Sequence, residues 1–216
     1  MSHLTRQEIP KEWPLPRKGG VYIIRPNNNL SKGIPVLIIL RDILKLGNNR
    51  REIKKIIHDK KVLLNDKFVK DEKENVLLFD VLKFPLIKKN YRLSISEQGK
   101  FLLEEINEKE SEKKISKIIG KKILKNKKIQ VNLSDGTNFL FNEKFKINDS
   151  VVIDLKNRKI EKVLPLKEGT KIKVYSGKHI GKTGKIISLD EKMKMAKISS
   201  NNQDINVLIK QIMVIE

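Results

Sequence analysis

Residues Gly169–Ile187 read GTKIKVYSGKHIGKTGKII, and this stretch is the most informative about the fold. Ile172 and Val174 alternate with polar residues, and Ile186–Ile187 follow after a short interval. Side chains on a strand point to opposite faces with a period of two, so this pattern predicts two half-buried strands. Three glycines between the strands permit positive φ angles and close backbone approach: Gly177, Gly181 and Gly184. The stretch therefore predicts a tight β-hairpin.

Four side chains in the turn are hydrogen-bond donors or potential cations: Lys178, His179, Lys182 and Lys185. Basic side chains beside exposed peptide groups favour the binding of phosphates or sugar edges. The spacing resembles the KOW motif, a short β-barrel element of many ribosomal proteins and some transcription elongation factors. That resemblance implies RNA binding by Lys178, His179 and Lys182. The alternative is an ordinary β-hairpin with solvated lysines.

The composition is strongly basic. The 216 residues include 47 Lys and Arg against 26 Asp and Glu, which gives a formal net charge of +21. An excess of this size repels itself unless a polyanion neutralises it, and it is typical of nucleic-acid-binding proteins. The alternatives are a membrane-surface protein or a coding bias toward lysine. The first would need a basic amphipathic helix with an aromatic face or a lipidation signal, and the sequence has neither.

Several other classes of protein are disfavoured. The chain has no cysteine, and its histidines (His3, His58 and His179) are far apart, so we expect no disulfide and no metal site. The longest apolar stretch, Ile34–Leu40, is too short to cross a bilayer, and the N-terminus lacks the hydrophobic region of a secretory signal. We expect a soluble cytoplasmic protein with no cofactor, no small-molecule substrate and no membrane association.

The first 34 residues predict an extended basic arm. Four prolines in this short span disfavour a continuous helix. Trp13 is the only tryptophan of the chain, and it either docks on a partner or fills the protein's own core; the two roles are compatible. The candidate RNA-binding residues of the arm are Arg6, Lys11, Trp13, Arg17, Lys18 and Arg25.

The next module predicts two helices. Apolar residues at helical spacing favour a helix over Pro35–Leu44, in which Pro35 suits the first turn and Gly47 the C-terminal cap. Asn48 or Asn49 is suited to cap a second helix over Arg50–His58. That helix has a buried stripe of isoleucines at positions 53, 56 and 57 and an opposite face of like charges. Because like charges at i+4 destabilise a helix, an anion on this face would be favourable.

A hairpin and a strand complete the module. Val62–Leu64 and Phe68–Val69 flank the turn Asn65–Asp66–Lys67, and Val76–Phe84 is expected to be one buried strand. This order of elements resembles the small RNA-binding domain shared by a bacterial small-subunit ribosomal protein, pseudouridine synthases and tyrosyl-tRNA synthetases. That family often has glycine in the turn, where this chain has Asp66. The candidate RNA-binding residues of the module are Arg41, Asn48, Arg50, Arg51, Lys54, Lys55, Lys61, Asn65, Lys67 and Lys70.

The following segment is mostly β in pattern. The exception is a predicted helix over Glu108–Ile119, with the isoleucines at 115, 118 and 119 as its buried side. Strands at Ile129–Leu133 and Phe139–Phe141, joined through Asp135–Gly136, give the clearest hairpin pattern of the chain.

Taken together, these segments resemble one family, the archaeal and eukaryotic "e"-type small-subunit ribosomal protein four (S-four-e family). The helix sequence PVLIILRDIL (Pro35–Leu44) matches that family's first domain helix, whereas Asn27–Leu30 replaces a loop rich in Gly, Pro and His. The N-terminal residues that carry the resemblance are His3–Leu4, Arg6, Pro10–Lys11, Trp13–Pro14, Pro16–Arg17–Lys18 and Arg25–Pro26.

The sequence thus predicts an α+β multidomain protein in four parts. They are a basic Pro-rich arm (1–34), a small helical-plus-hairpin RNA-binding domain (35–86), a central β domain with one helix (87–165), and a KOW-type, SH3-like β-barrel (166–216). The resemblance implies a structural, non-enzymatic constituent of the small ribosomal subunit. Its expected partners are small-subunit rRNA and neighbouring ribosomal proteins, without homo-oligomer formation. Low aromatic content favours folded, largely double-helical RNA read through its backbone.

Two rival functions remain open. The first is an rRNA-modifying enzyme or its accessory, which would share the small RNA-binding domain. It would need a large catalytic domain, for which the sequence has no evident nucleophile–base pair or glycine-rich phosphate loop. The second is a non-integral transcription or translation factor that uses its KOW barrel to bind protein.

Overall fold

The computed structural model describes residues 3–125, 128–190, 192–200 and 203–215. The chain forms two compact units: Met1–Ile95 with Gly99–Ser111, and Ser96–Gln98 with Glu112–Glu216. Both are mostly β with few helices. The division into four parts that the sequence suggests is finer and stays a prediction.

The first unit begins with a small ribbon. Strand β1 (His3–Thr5) pairs antiparallel with β2 (Tyr22–Ile24), and a short 3₁₀ turn, Arg6–Glu8, follows β1. The pairing of β1 with β2 therefore brings together the two ends of the proline-rich loop between them.

The two expected helices are present, and the first of them has corrected ends. Strand β3 (Gly33–Pro35) runs into α1 (Val36–Ile38), which continues as a π-helical turn over Ile39–Ile43. Pro35 precedes the helix and does not lie in its first turn. Lys45 has a φ of 53° just beyond the helical segment, so it takes the left-handed conformation that we expected of Gly47. Gly47 is instead closely packed by side chains, since a Cβ there would lie 2.9 Å from Ile53 Cδ1.

Helix α2 spans Arg50–His58, with Asn49 at its N-cap, as predicted. Ile53 and Ile57 are buried and Ile56 is half-buried, which confirms the apolar stripe. The Glu52 carboxylate accepts a hydrogen bond of 2.8 Å from the Asn48 backbone N–H, so a donor just before the helix is satisfied.

A five-stranded antiparallel sheet completes the first unit, in the order β5-β4-β7-β8-β9, and β6 pairs separately with β3. Residue 87, where the sequence suggested a domain boundary, lies in the turn between two paired strands of this sheet. Its strands and β6 are β4 (Leu63–Leu64), β5 (Lys67–Phe68), β6 (Asn75–Leu77), β7 (Val81–Phe84), β8 (Lys89–Ile95) and β9 (Phe101–Ile106).

The single strand expected over Val76–Phe84 was wrong. Phe79 has a φ of 63°, and the Asp80 carboxylate accepts a 2.7 Å hydrogen bond from the Leu77 N–H. This turn reverses the chain between β6 and β7, so one apolar run supplies strands to two sheets.

The predicted helix over Glu108–Ile119 was also wrong beyond its first turn. Helix α3 covers only Glu108–Ser111, and β10 (Lys113–Ile123) follows it. Ile115 and Ile118 pack into different core clusters, because side chains three positions apart on a strand point to opposite faces. Ile119, expected to be buried with them, lies at a bulge between Ile118 and Gly120 and is 54% exposed.

The second unit contains two five-stranded antiparallel sheets. In the first, the order is β12-β11-β10-β13-β14, and the expected hairpin around Asp135–Gly136 joins β11 to β12. Strand β10 is central and pairs with both β11 and β13. The strands are β11 (Ile129–Leu133), β12 (Asn138–Leu140), β13 (Ser150–Asp154) and β14 (Lys159–Leu164).

The second of these sheets contains the fold-deciding stretch. Its order is β18-β17-β16-β15-β19, so the final strand returns to pair with β15. Ile172, Val174 and Ile186 are buried in its core, as the alternation predicted. The strands are β15 (Lys171–Val174), β16 (Thr183–Asp190), β17 (Met195–Ser200), β18 (Gln203–Leu208) and β19 (Ile212–Val214).

Candidate nucleic-acid interface

Trp13 anchors the N-terminal arm. Its side chain is 2% exposed, and its Nε1–H donates a 2.9 Å hydrogen bond to the Gly33 carbonyl. A backbone hydrogen bond of 2.7 Å from Phe101 N–H to the Glu12 carbonyl fastens the neighbouring residue. The ring therefore has no free face for a nucleobase. We correct its predicted role from RNA contact to anchoring.

Arg6 organises the loop of the arm. Its guanidinium donates to the Gly20 carbonyl at 2.6 Å and to the Pro16 carbonyl at 2.8 Å. These bonds use two of its five donors to hold the loop, so Arg6 has a structural function, and its predicted phosphate contact stays a prediction. The other predicted RNA-binding cations of the arm are exposed, and no described residue forms an ion pair with them: Lys11, Arg17, Lys18 and Arg25.

The basic face of α2 has an internal counterion, which the sequence did not reveal. Glu72 is only 4% exposed, and its carboxylate accepts a bifurcated hydrogen bond from Arg50 Nε–H, at 2.9 and 3.1 Å to its two oxygens, besides one from Nη2. Lys54 Nζ lies 3.5 Å from the same carboxylate. The hydrogen bond to Glu72 raises the pKa of the Arg50 guanidinium. Because Glu72 neutralises this part of the helix, the like-charge argument for an external anion applies only to the rest of it.

Arg51 and Lys55 make up that remainder. Both are exposed, and no ion pair reaches either of them from the described part of the chain. They are separated by one helical turn, so they lie on the same side of α2. They are therefore the strongest phosphate-binding candidates on the helix. Asn48 is exposed just before it.

The hairpin turn after α2 has a defined geometry. Asn65 and Asp66 have φ angles of 50° and 61°, so both central residues are left-handed, as a type I′ turn requires. Asn65 Nδ2 donates to Asp80 Oδ1 at 2.9 Å, and its Oδ1 accepts from the Val81 N–H at 3.0 Å. The side chain of Asn65 thus holds the turn, and its predicted RNA contact stays a prediction. Asp66 takes the place of the glycine often found in the resembling family and pairs with Lys83 at 2.6 Å.

The remaining predicted cations of this unit fall into two groups. Lys61 pairs with Asp59 at 3.0 Å and lowers the pKa of that carboxyl, and Arg41 pairs with Asp42 at 2.8 Å. These two have acidic partners of their own. Lys67 and Lys70 are exposed, and no described residue forms an ion pair with them. The hairpin therefore offers two uncompensated cations beside those of α2.

The glycine-rich turn of the second unit is as tight as expected. Gly177 and Gly181 have φ angles of 92° and 87°, and a Cβ on Gly181 would lie 1.9 Å from the Ser96 carbonyl oxygen. Lys178 is exposed at this turn, whereas His179 and Lys182 are half-buried. Of these three side chains, only that of Lys178 is fully accessible to solvent.

Two further features were absent from the sequence prediction. Lys171 and Lys185 are direct neighbours across β15 and β16, both exposed, which places like charges opposite each other. Phe68, on the hairpin, is 50% exposed, and the ammonium of Lys60 lies 6.0 Å from its ring centroid. The strand register would have revealed the Lys171–Lys185 pair. For the exposed ring, the basic residues near Phe68 in the sequence were a usable signal.

Two kinds of site are not found in the described ranges. No helix there combines the length and apolar character needed to cross a membrane. Within those same residues, no group of three or more His, Cys, Asp or Glu side chains is arranged as a metal site.

Comparisons with known proteins agree with the resemblance noted in the sequence. The model of ribosomal family S4e matches residues 87–160. Small ribosomal subunit protein eS4 of Methanocella arvoryzae is 36% identical over 204 residues, covering 93% of this chain and 85% of that protein. The eS4 protein of Nanoarchaeum equitans is 38% identical over 188 residues, covering 85% and 80%.

The fold is also shared with a solved structure. The crystal structure of 30S ribosomal protein S4e from Thermoplasma acidophilum gives a TM-score of 0.73 at 24% identity, over 86% of this chain and 95% of that chain. The similarity to the curated relatives extends over most of both sequences and exceeds 30% identity. The chain therefore belongs to the eS4 family of small ribosomal subunit proteins.

Proposed function

We propose that this protein is a structural constituent of the small ribosomal subunit that binds folded rRNA through its phosphate backbone. The observation that carries the proposal is the set of exposed cations without acidic partners around α2 and the hairpin. Membership of a ribosomal protein family confirms the expectation that the chain is not an enzyme.

The proposed contact surface in the first unit, which we call the α2–hairpin surface, consists of Arg51, Lys55, Lys67 and Lys70. Arg51 can donate two hydrogen bonds to one phosphate, whereas the lysines act as point charges. The rigid type I′ turn holds the hairpin lysines in place, so little side-chain and backbone entropy is lost on binding. Such a surface suits the regular backbone of a folded RNA.

The arm supplies a second group of phosphate contacts. Its anchor, Trp13, and the bonds of Arg6 fix the loop before RNA binds. The exposed cations Lys11, Arg17, Lys18 and Arg25 then act on a preformed framework. In this proposal the arm is a rigid extension and not a disordered tail.

In the second unit we propose a KOW-type barrel that carries further RNA contacts at the turn of Lys178, His179 and Lys182. The return of β19 to β15 is the support for a closed or nearly closed sheet. The proposed setting is the cytoplasmic ribosome, where this protein contacts neighbouring small-subunit proteins and does not form homo-oligomers.

Association with the ribosome can be tested directly in a cell lysate. We expect the protein to migrate with the small subunit on a sucrose gradient and to remain there through a high-salt wash. Release at moderate salt would contradict an integral role and would favour a transient factor.

The α2–hairpin surface can be tested with the double variant Arg51→Glu/Lys55→Glu. Removing two phosphate contacts should reduce the slope of log K against log salt by about 1.4–1.8, since each contributes roughly 0.7–0.9. The matched control is Lys192→Glu/Lys194→Glu, which makes the same change of net charge on the exposed turn between β16 and β17. The measurement is binding to purified small-subunit rRNA at several salt concentrations, with thermal unfolding as a check on folding. An unchanged slope in the Arg51/Lys55 variant would remove this surface from the proposal.

A further inference from the structure

Phe68 is an exposed aromatic side chain at the edge of a sheet. It lies on β5, which pairs only with β4, and its direct neighbour across that pair is Leu63. Half of Phe68 is accessible to solvent, although most aromatic residues of the described chain are buried or half-buried. The packing of the hairpin therefore does not use the whole ring.

The surroundings of Phe68 are basic. Lys60 Nζ lies over the ring at 6.0 Å from its centroid, a cation–π distance, and Lys67 and Lys70 are exposed on either side in sequence. An apolar patch that docks on another protein is usually contiguous and larger. A single ring among lysines is instead the combination found where nucleic acid is bound, with cations for the backbone and an aromatic face for a base.

We propose that Phe68 stacks on one unpaired nucleobase of the bound RNA. This inference rests on the proposed function and refines it, because it assigns an irregular feature of the RNA, a bulged or loop base, to the α2–hairpin surface. The lysines hold the phosphates on both sides of that base. Lys60 is exposed near the ring, where its ammonium can bind a phosphate that flanks the base.

The geometry limits the contact to one base. The described residues contain no second exposed aromatic on the hairpin, and the other exposed aromatic, Tyr22, is engaged edge-on with His3 at 4.5 Å in the arm. A track of stacked bases, as in proteins that bind single strands, is therefore not available here. One splayed base beside a helical segment is consistent with the low aromatic content and with recognition of folded RNA.

The test compares three variants of the full chain: Phe68→Ala, Phe68→Leu and Leu102→Ala. Leu102 is a matched control because it is 48% exposed on β9, at the opposite edge of the same sheet. The probe is small-subunit rRNA purified from the cells that make the protein, and Kd is measured at fixed salt. Ultraviolet crosslinking followed by mass spectrometry locates any base joined to residue 68.

We expect Phe68→Ala to weaken binding by about 5- to 150-fold, the range observed for loss of one base–aromatic stack, with unchanged thermal stability. Phe68→Leu should bind nearly as weakly, since leucine is apolar but has no aromatic face. Leu102→Ala should bind like the wild type, and the wild type should give a crosslink at Phe68.

The outcomes separate this inference from the function on which it rests. If the wild type does not bind the rRNA, the proposed function itself fails. If it binds and Arg51→Glu/Lys55→Glu weakens it while Phe68→Ala does not, only the stacking contact is wrong. Full recovery in Phe68→Leu would also overturn stacking, because it would show that apolar bulk is sufficient.

Discussion

Replacing Lys117 with methionine should abolish a rise in the stability of the second unit at alkaline pH. Lys117 is 1% exposed on β10. Its ammonium donates to the carbonyls of Ile209 and Ile212, at 2.5 and 2.9 Å, and lies 5.9 Å from the ring centroid of Tyr175. No carboxylate is among these partners. Burial lowers the pKa of Lys117 from its usual 10.5 to about 8.

The size and sign of the effect follow from that difference. Each unit of pKa corresponds to about 1.4 kcal/mol, so the shift corresponds to about 3 kcal/mol. Below about pH 8 the lysine is protonated in both the folded and the unfolded chain, and it adds no pH dependence. Between about pH 8 and 10.5 the unfolded chain holds a proton that the folded chain has released, so the free energy of unfolding rises with pH. The neutral amine can still donate to both carbonyls.

The assay is urea unfolding of the wild type and of Lys117→Met at pH 7, 8, 9 and 10, followed by far-ultraviolet circular dichroism. Fluorescence of Trp13, the only tryptophan, reports separately on the first unit. The other lysines titrate in both proteins, so their effects cancel in the difference. We expect the wild type to gain up to about 3 kcal/mol relative to the variant across this range. Lys121→Met, on the exposed part of β10, should follow the wild type.

Parallel pH profiles for the wild type and Lys117→Met would refute this reasoning. They would mean that Lys117 keeps its ordinary pKa, and hence that water or an anion reaches the ammonium in solution.

Two further predictions concern the backbone. Gly181→Ala should destabilise the protein by about 3 kcal/mol or more, because the new Cβ would overlap the Ser96 carbonyl. Gly136→Ala, at a similar φ but in open space, should lower the free energy of unfolding by only about 1 kcal/mol. Equal losses in the two variants would show that the φ angle alone decides the effect. Lys45→Gly should stabilise the protein by up to about 1 kcal/mol, because Lys45 has a φ of 53°, and Lys45→Ala should not. Thermal unfolding measures all four variants.

Local chemistry was enough to predict several elements from the sequence. Helix α2 begins and ends where its cap and isoleucine spacing indicate, because both depend on residues within one or two turns. The same holds for the hairpins around Asn65–Asp66 and Asp135–Gly136, whose residues tolerate the positive φ angles of a tight turn. The alternation around Ile172 and Val174 likewise placed two half-buried strands correctly.

The errors arose where a distant residue decides the outcome. Most of the predicted helix Glu108–Ile119 instead belongs to the central strand β10, because β11 and β13 supply hydrogen-bonding partners on both sides. The run Val76–Phe84 divides at Phe79, since its halves pair with strands in different sheets. The pattern of apolar residues alone cannot predict either outcome, because the strands that compete for these segments lie far away along the chain.

The candidate interface shows the same division. The sequence determined which segments are basic and which turns display them, since charge and turn chemistry are local properties. Only the tertiary structure decided which cations are available. Glu72, 22 residues from Arg50, neutralises it, and Gly33, 20 residues from Trp13, holds the indole inside the core. Availability depends on whether a partner from elsewhere in the fold reaches each group first, and that is a property of packing.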